Sequence, residues 1–158
     1  MNDQSVIFEL PTRRATIRMA RRLGPLLRPG DLLVLSGDLG TGKTFFTRAL
    51  CRTLGVPPTV DVTSPTFTLL QEHTGQFAIL HADAYRLKDE SELLALGIRD
   101  ALGDGALVVL EWGEPYVDVL GGDALVISLT HGLTPSSRRA ALRGLGRRGR
   151  EIMLQMQP

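Results

Sequence analysis

One short segment constrains the fold of this chain more than any other. Residues 32–50 read LLVLSGDLGTGKTFFTRAL, in which an apolar run stops at a glycine-rich loop and a helix-forming stretch follows. Gly37, Gly42, Lys43 and Thr44 match the pattern G-x-x-x-x-G-K-[ST]. A chain of this length matches that pattern by chance in well under about one case in a hundred. The sequence therefore predicts a phosphate-binding strand–loop–helix unit.

The residue types in this loop suit the binding of phosphate groups. Its glycines allow the backbone to curl so that successive N–H groups point at one anion, and the following helix adds its dipole. We expect Lys43 to contact the β- and γ-phosphates of a nucleotide and the Thr44 hydroxyl to bind Mg²⁺. A glycine-rich turn without a ligand is the alternative. The predicted nucleotide-binding residues are Gly37, Asp38, Leu39, Gly40, Thr41, Gly42, Lys43, Thr44 and Phe45.

Two carboxylates follow apolar runs and are candidates for the chemistry beside the phosphates. The run ALVVLE ends at Glu111, and FAILHAD ends at Asp83. An acid at the end of a buried strand is well placed to lie beside a nucleotide-bound Mg²⁺. Each is alternatively a solvated carboxylate at a strand end.

The alternation of apolar strands with helices predicts an α/β, P-loop NTPase-like fold. We expect a largely parallel sheet flanked by helices, with one antiparallel hairpin around Thr74–Gly75. The chain has 158 residues, which is about one domain. We place a single domain at residues 1–145 and expect residues 146–158 to form a basic, flexible tail. The further predicted elements are a short strand at 5–10, a helix at 11–27 with Thr12 as N-cap, a helix at 89–98, and strands at 105–112 and 124–129.

Composition limits the partners and the compartment. The net charge is +1, which argues against nucleic-acid binding by the chain alone. The single cysteine, Cys51, excludes an intramolecular disulfide and is expected to be buried in a helix. The segment MNDQSVIFEL has no basic region followed by an apolar one, and no run of about 18 apolar residues occurs. We therefore expect a cytoplasmic protein that has no membrane partner.

Three classes of nucleotide-binding protein remain open on the residues alone, and the first is an ATPase that drives a partner. The only asparagine is Asn2, so the guanine-reading element Asn-Lys-x-Asp is absent and ATP is favoured over GTP. A small-molecule kinase would place arginines in a lid and an acceptor pocket, but Arg86 and Arg99 are the only arginines in the middle of the chain. A module that binds nucleotide without turnover is the third class. The terminal arginines, expected as a solvated strand face and tail, are Arg138, Arg139, Arg143, Arg147, Arg148 and Arg150.

Four short motifs occur in one order along the chain: GDLGTGKT (37–44), SPTFTLL (64–70), LHADAYRL (80–87) and LEWGE (110–114). In this order and spacing the chain resembles the bacterial TsaE proteins, also called YjeE. The resemblance implies an ATPase of tRNA threonylcarbamoyladenosine biosynthesis that performs no tRNA chemistry itself. It implies the partners TsaB and TsaD, which modify the adenosine next to the anticodon, and contact with tRNA only through that complex. The implied cofactors are ATP and Mg²⁺.

The resemblance also implies roles for individual residues. Thr44 and Glu111 would hold Mg²⁺, and Lys43, Thr66 and Asp83 would be catalytic. Thr66 would approach the γ-phosphate and the metal, or is alternatively a turn residue. Asp83 would be either the general base or a group that supports the metal indirectly.

Four further side chains near these motifs have no predicted catalytic role. We expect His81 to be a core or hydrogen-bonding histidine, and His73 lacks metal-ligand spacing. Tyr85 and Trp112 are expected to be aromatic residues of the core or of an interface rather than nucleotide contacts.

Overall fold

The computed structural model describes residues 4–158, which form one seven-stranded sheet with helices on both faces. The strands are β1 (Val6–Leu10), β2 (Leu32–Ser36), β3 (Leu70–Thr74), β4 (Ala78–Asp83), β5 (Leu107–Glu111), β6 (Ala124–His131) and β7 (Arg138–Leu145). Their order in the sheet is β1-β7-β6-β2-β5-β4-β3. The predicted α/β, P-loop NTPase-like fold is confirmed.

The parallel part of the sheet is its centre. Strands β6, β2, β5 and β4 pair in parallel, and these are the strands whose apolar runs are most completely buried. Antiparallel strands close both sides: β3 forms the expected hairpin with β4, while β7 pairs with both β6 and β1. The sheet is therefore mixed, because the short connection between β6 and β7 returns the chain antiparallel at the second edge as well.

The helices divide into two layers over the sheet. They are α1 (Arg13–Leu23), α2 (Lys43–Thr53), α3 (Glu90–Ala95), α4 (Ile98–Gly103) and α5 (Gly146–Gln155). Helices α1, α2 and α5 share a core with the side chains of Leu33, Leu35 and Val109. Helices α3 and α4 pack on the opposite face, against Val34 and Val108.

Capping residues set the helix boundaries largely as the sequence predicts. The hydroxyl of Thr12 accepts a hydrogen bond from the N–H of Ala15 at 3.2 Å, so Thr12 is the N-cap of α1. Asp89 caps α3 in the same way. The predicted helix at 89–98 instead ends early, because Gly97 adopts a φ of 77° and begins the separate helix α4.

Helix α2 buries the single cysteine as expected. Cys51 is 1 % exposed, and burial raises the pKa of its thiol to about 11. A separate finding is that no helix within residues 4–158 has the length and apolar character needed to cross a membrane.

The expectation of a flexible tail at 146–158 does not match the structure, because most of that segment is the helix α5. Its apolar residues Ile152, Met153 and Met156 are 1 %, 3 % and 0 % exposed. Glycine at 149 permits this packing, since a Cβ there would overlap with the carbonyl oxygen of Ala124 in β6. The segment did not read as a helix in the sequence because its many arginines leave only one narrow apolar stripe.

The ion pair between Arg148 and Asp31 ties α5 to the residue that precedes β2. The guanidinium of Arg148 donates from Nε to Oδ1 of Asp31 and from Nη2 to Oδ2, both at 3.0 Å. The Asp31 side chain is 7 % exposed and the Arg148 side chain 19 %. A two-pronged contact of this kind, shielded from water, holds the helix in one orientation.

We expect Ile152→Ala to lower the free energy of unfolding by about 2–5 kcal/mol, because it leaves a cavity under α5. Leu154→Ala is the matched control, since Leu154 lies on the same helix but is 50 % exposed. Urea unfolding should give a lower midpoint for Ile152→Ala with an unchanged slope. Equal midpoints for the two variants would contradict the packing of α5 described here.

Candidate functional site

The phosphate loop connects β2 to α2 at the carboxyl edge of the parallel strands. Gly42 has a φ of 98° and is the N-cap of α2, and Gly40 has a φ of 82°. A Cβ at either position would meet nothing within 4 Å, so the conformation and not the space requires glycine there. At Gly37 the space is closed as well, because a Cβ would lie 2.5 Å from the carbonyl oxygen of Leu129. The loop thus has the curled backbone that the motif predicts.

Lys43 begins α2 and folds back over the loop. Its Nζ donates to the carbonyl oxygens of Gly37 at 2.6 Å and Asp38 at 3.1 Å. Lys43 is only 6 % exposed. Burial lowers the pKa of the Lys43 ammonium, and the nearby carboxylates of Glu111 and Asp83 act in the opposite direction. The ammonium is thus held at the loop by two backbone carbonyl oxygens.

The two candidate carboxylates lie side by side. Asp83 ends β4 and Glu111 ends β5, and the parallel register pairs the two residues directly. Leu35 of β2 pairs with Glu111, so all three lie at the same level of the sheet. Asp83 is 4 % exposed and Glu111 3 %, which excludes the alternative of solvated strand ends.

Asp83 is held by the segment that contains the SPT motif. The hydroxyl of Thr66 donates to Oδ2 of Asp83 at 3.0 Å, and the N–H of Tyr85 donates to Oδ1 at 2.9 Å. The hydroxyl of Ser64 lies 2.7 Å from that of Thr66. The structure therefore brings Thr66 and Asp83 together, although 17 residues separate them in the sequence.

Glu111 is held by a residue to which sequence reasoning gave no role in the site. Nε2 of His81 lies 2.7 Å from Oε2 of Glu111, and His81 is 0 % exposed. Nδ1 of His81 is buried and has no hydrogen-bond partner among the described residues. A carboxylate only accepts hydrogen bonds, so Nε2 of His81 donates in this contact. The spacing of His81 and Asp83, two residues apart on one strand, was the available signal that both face the site.

The sequence predicts that Trp112 and Tyr85 belong to the core or to an interface. The structure excludes the core, because Tyr85 is 58 % exposed and Trp112 is half-buried. Nζ of Lys43 is 4.8 Å from the centroid of the Trp112 ring. The centroids of the Tyr85 and Trp112 rings are 5.1 Å apart. Regular strand alternation would turn Trp112 away from the side of Glu111. Its φ of 60° breaks that alternation, and the indole packs over the ammonium.

The few oxygen donors beside the loop suit Mg²⁺, which takes only some of its ligands from protein. They suit less well a metal whose ligands are all protein side chains. Two buried carboxylates, Asp83 and Glu111, and the hydroxyl of Thr44 are hard oxygen donors. Within residues 4–158 no group of three or more His, Cys, Asp or Glu side chains is arranged to hold a metal ion. Mg²⁺ usually takes one or two carboxylates together with water and substrate phosphates, and this set supplies that number.

A cavity of about 550 Å³ opens beside the loop on the side away from the carboxylates. Phe45 and Leu129 give it apolar walls, while Arg13, Arg48 and Arg138 supply positive charge. Its volume lies in the range of small-molecule sites. An anion held by the loop would therefore have room for an attached organic group.

Comparisons with known proteins agree with these motifs. The sequence model of the family described as "Threonylcarbamoyl adenosine biosynthesis protein TsaE" matches residues 10–140. The chain belongs to the TsaE family. The predicted resemblance is thus confirmed over most of the chain.

Individual family members match over most of their length. The proteins named tRNA threonylcarbamoyladenosine biosynthesis protein TsaE from Streptomyces coelicolor and Rickettsia felis are each 42 % identical to the chain. The first match covers 82 % of this chain and 90 % of the relative, and the second covers 76 % and 70 %. The Bacillus subtilis protein of the same name is 37 % identical, over 71 % of this chain and 69 % of its own.

The fold agrees with a solved structure of low sequence identity. The crystal structure of YdiB from Bacillus subtilis superposes with a TM-score of 0.81 and 24 % identity. The match covers 99 % of this chain and 96 % of that chain, so it includes the segment that forms α5. At this identity the likeness supports the fold.

Trp112 gives the site an intrinsic probe. We expect tryptophan fluorescence to change saturably when Mg-ADP or Mg-ATP is added, because phosphates would draw the Lys43 ammonium away from the ring 4.8 Å from it. Lys43→Ala should remove the change at the same nucleotide concentration. Mg-GTP should require a clearly higher concentration. A signal that stays flat in the parent protein would contradict the coupling of Lys43 to Trp112.

Proposed function

We propose that this protein is an ATPase that binds and hydrolyses ATP to support a TsaB–TsaD complex in the threonylcarbamoylation of tRNA. Family membership supports the pathway. The observation that carries the ATPase activity is the pairing of two buried carboxylates, Asp83 and Glu111, in register beside the phosphate loop. We place this activity in the cytoplasm, where tRNA is modified.

The loop residues have separate roles in this proposal. Residues 37–45 would hold the phosphates through their N–H groups, and Lys43 would contribute a point charge. Thr44 and Glu111 would hold Mg²⁺, with His81 fixing the orientation of the Glu111 carboxylate. Mg²⁺, when bound, supplies positive charge to the phosphate oxygens.

Asp83 and Thr66 would act on the attacking water. The Thr66 hydroxyl donates to one carboxylate oxygen of Asp83, and the backbone of Tyr85 donates to the other. These contacts fix the direction in which Asp83 presents its remaining lone pairs. Asp83 would accept a proton from water or orient the water, and the geometry is compatible with support of the metal as well.

One observation favours a partner-driving ATPase over a small-molecule kinase. A kinase lid needs free guanidinium groups, but three of the six terminal arginines pair with carboxylates of the fold itself. Arg139 pairs with Glu9, Arg143 with Glu114 and Arg148 with Asp31. The net charge of +1 fits contact with tRNA through the complex rather than directly.

Replacing each carboxylate separates the two proposed roles. Glu111→Gln should weaken Mg²⁺-dependent nucleotide binding and turnover together. Asp83→Asn should lower turnover by about 10²–10⁴ while sparing affinity, as loss of general-base help does. Nucleotide titrations with Mg²⁺ and with EDTA, beside phosphate-release rates, measure both effects. Equal loss of affinity in the two variants would make Asp83 a metal ligand.

Phosphate release measured with and without a TsaB–TsaD complex tests the function as a whole. We expect the complex to stimulate release by the parent protein and not by Lys43→Ala. A parallel screen of small-molecule phosphate acceptors tests the kinase alternative, which predicts a phosphorylated acceptor. Tight nucleotide binding without turnover in either assay would leave a binding module and contradict the proposed ATPase.

A further inference from the structure

The guanidinium of Arg138 joins the phosphate loop to the connection between β6 and β7. Its Nε donates to the carbonyl oxygen of Thr41 and its Nη2 to that of Gly40, both at 3.1 Å. Its Nη1 donates to the carbonyl oxygens of Pro135 and Ser137, both at 2.8 Å. One side chain at the start of β7 thus binds four backbone oxygens from two loops.

The charge of Arg138 is not neutralised by a carboxylate. Among the residues that the structure describes, no Asp or Glu lies within ion-pair distance of it, whereas the adjacent Arg139 pairs with Glu9 at 2.7 Å. A cation bonded only to carbonyl oxygens keeps its full charge beside the loop. That charge favours an anion bound there.

The contacts of Arg138 also orient donors in the loop. A trans peptide is planar, so fixing a carbonyl fixes the direction of the N–H group of the next residue. Holding the carbonyls of Gly40 and Thr41 therefore sets the N–H group of Thr41, which donates to the carbonyl oxygen of Asp38 at 3.3 Å, and the N–H group of Gly42. The positive φ angles of Gly40 and Gly42 are ones that glycine adopts freely but does not prefer, so the loop benefits from an outside restraint.

We propose that Arg138 is a positioning residue of the nucleotide site, which arranges the phosphate loop before nucleotide binds and couples it to residues 132–137. The inference rests on the nucleotide binding proposed above. A loop that is already ordered loses less entropy when nucleotide binds. Arg138 therefore raises the affinity without contacting the reacting groups. Since Arg138 and Pro135 both line the 550 Å³ cavity, the coupled connection also borders the space beside the phosphate loop.

Binding measurements on two variants and a matched control test the proposal. Arg138→Gln removes the charge and the bridge, and we expect the Kd for ADP to rise about tenfold or more, the usual effect of losing charge-assisted hydrogen bonds. Arg138→Lys keeps the charge but cannot bridge both loops, so its Kd should lie between. Arg139→Gln should stay within about twofold of the parent, because Arg139 is exposed and pairs with Glu9.

Amide hydrogen exchange, measured without nucleotide and with ADP, distinguishes the proposed positioning role from a general loss of stability. In Arg138→Gln, exchange should accelerate in residues 40–42 and 132–137 together, while the protection of β2, β5 and β6 stays unchanged. In the parent, ADP should slow exchange in both segments, and in Arg138→Gln it should slow exchange in residues 40–42 alone. Uniform acceleration across the sheet would instead indicate general destabilisation and overturn the proposal.

The two proposals fail in different ways. If the parent protein does not bind ADP or ATP, the proposed function is wrong and the role of Arg138 falls with it. If the parent binds nucleotide but Arg138→Gln binds equally well, with residues 132–137 still protected by ADP, only the role of Arg138 is overturned.

Discussion

The parallel pairing of β2, β5 and β4 is the constraint on which the site depends. In a parallel sheet, residues paired in register present their side chains on the same face at the same height. Asp83 pairs with Glu111, which pairs with Leu35, and the phosphate loop begins two residues after Leu35. A slip of one residue in either pairing would turn a carboxylate toward the helices on the opposite face. The buried apolar runs of these strands fix the register and with it the spacing of the charged groups.

The site concentrates buried charge, which is costly unless the charges have partners. Lys43, Asp83 and Glu111 are all less than 10 % exposed. Each is held by neutral or opposite groups: loop carbonyls for Lys43, Thr66 and a backbone N–H for Asp83, and His81 for Glu111. In such water-poor surroundings, charges act strongly on a phosphate group and need little rearrangement when it arrives. Burying these charges lowers the stability of the fold, and their strong action on a phosphate group requires that burial.

Local signals in the sequence predicted much of this arrangement. The phosphate loop, the Thr12 cap, the hairpin at Thr74–Gly75 and the ends of β4 and β5 each depend on a few adjacent residues, and the structure has them as predicted. The sequence pattern also placed Asp83 and Glu111 at strand ends, where the parallel sheet brings them together.

The features that were missed depend on contacts between distant segments. The hydrogen bond from His81 to Glu111 spans 30 residues and that from Arg138 to Thr41 spans 97, so neither leaves a local pattern. The packing of α5 depends on Asp31, far away at the base of β2, and on a glycine that allows a close approach to β6. The indole of Trp112 reaches Lys43 only because one backbone angle departs from strand geometry.

The central claim is that nucleotide phosphates bind to the N–H groups of the phosphate loop. Backbone amide chemical shifts recorded during a titration with Mg-ADP measure this directly. We predict that the largest saturable shifts occur at residues 37–45, with smaller shifts at Asp83, Glu111 and Trp112, and with α3 and α4 unaffected. Saturable nucleotide binding that leaves the amides of residues 37–45 unshifted would contradict the account.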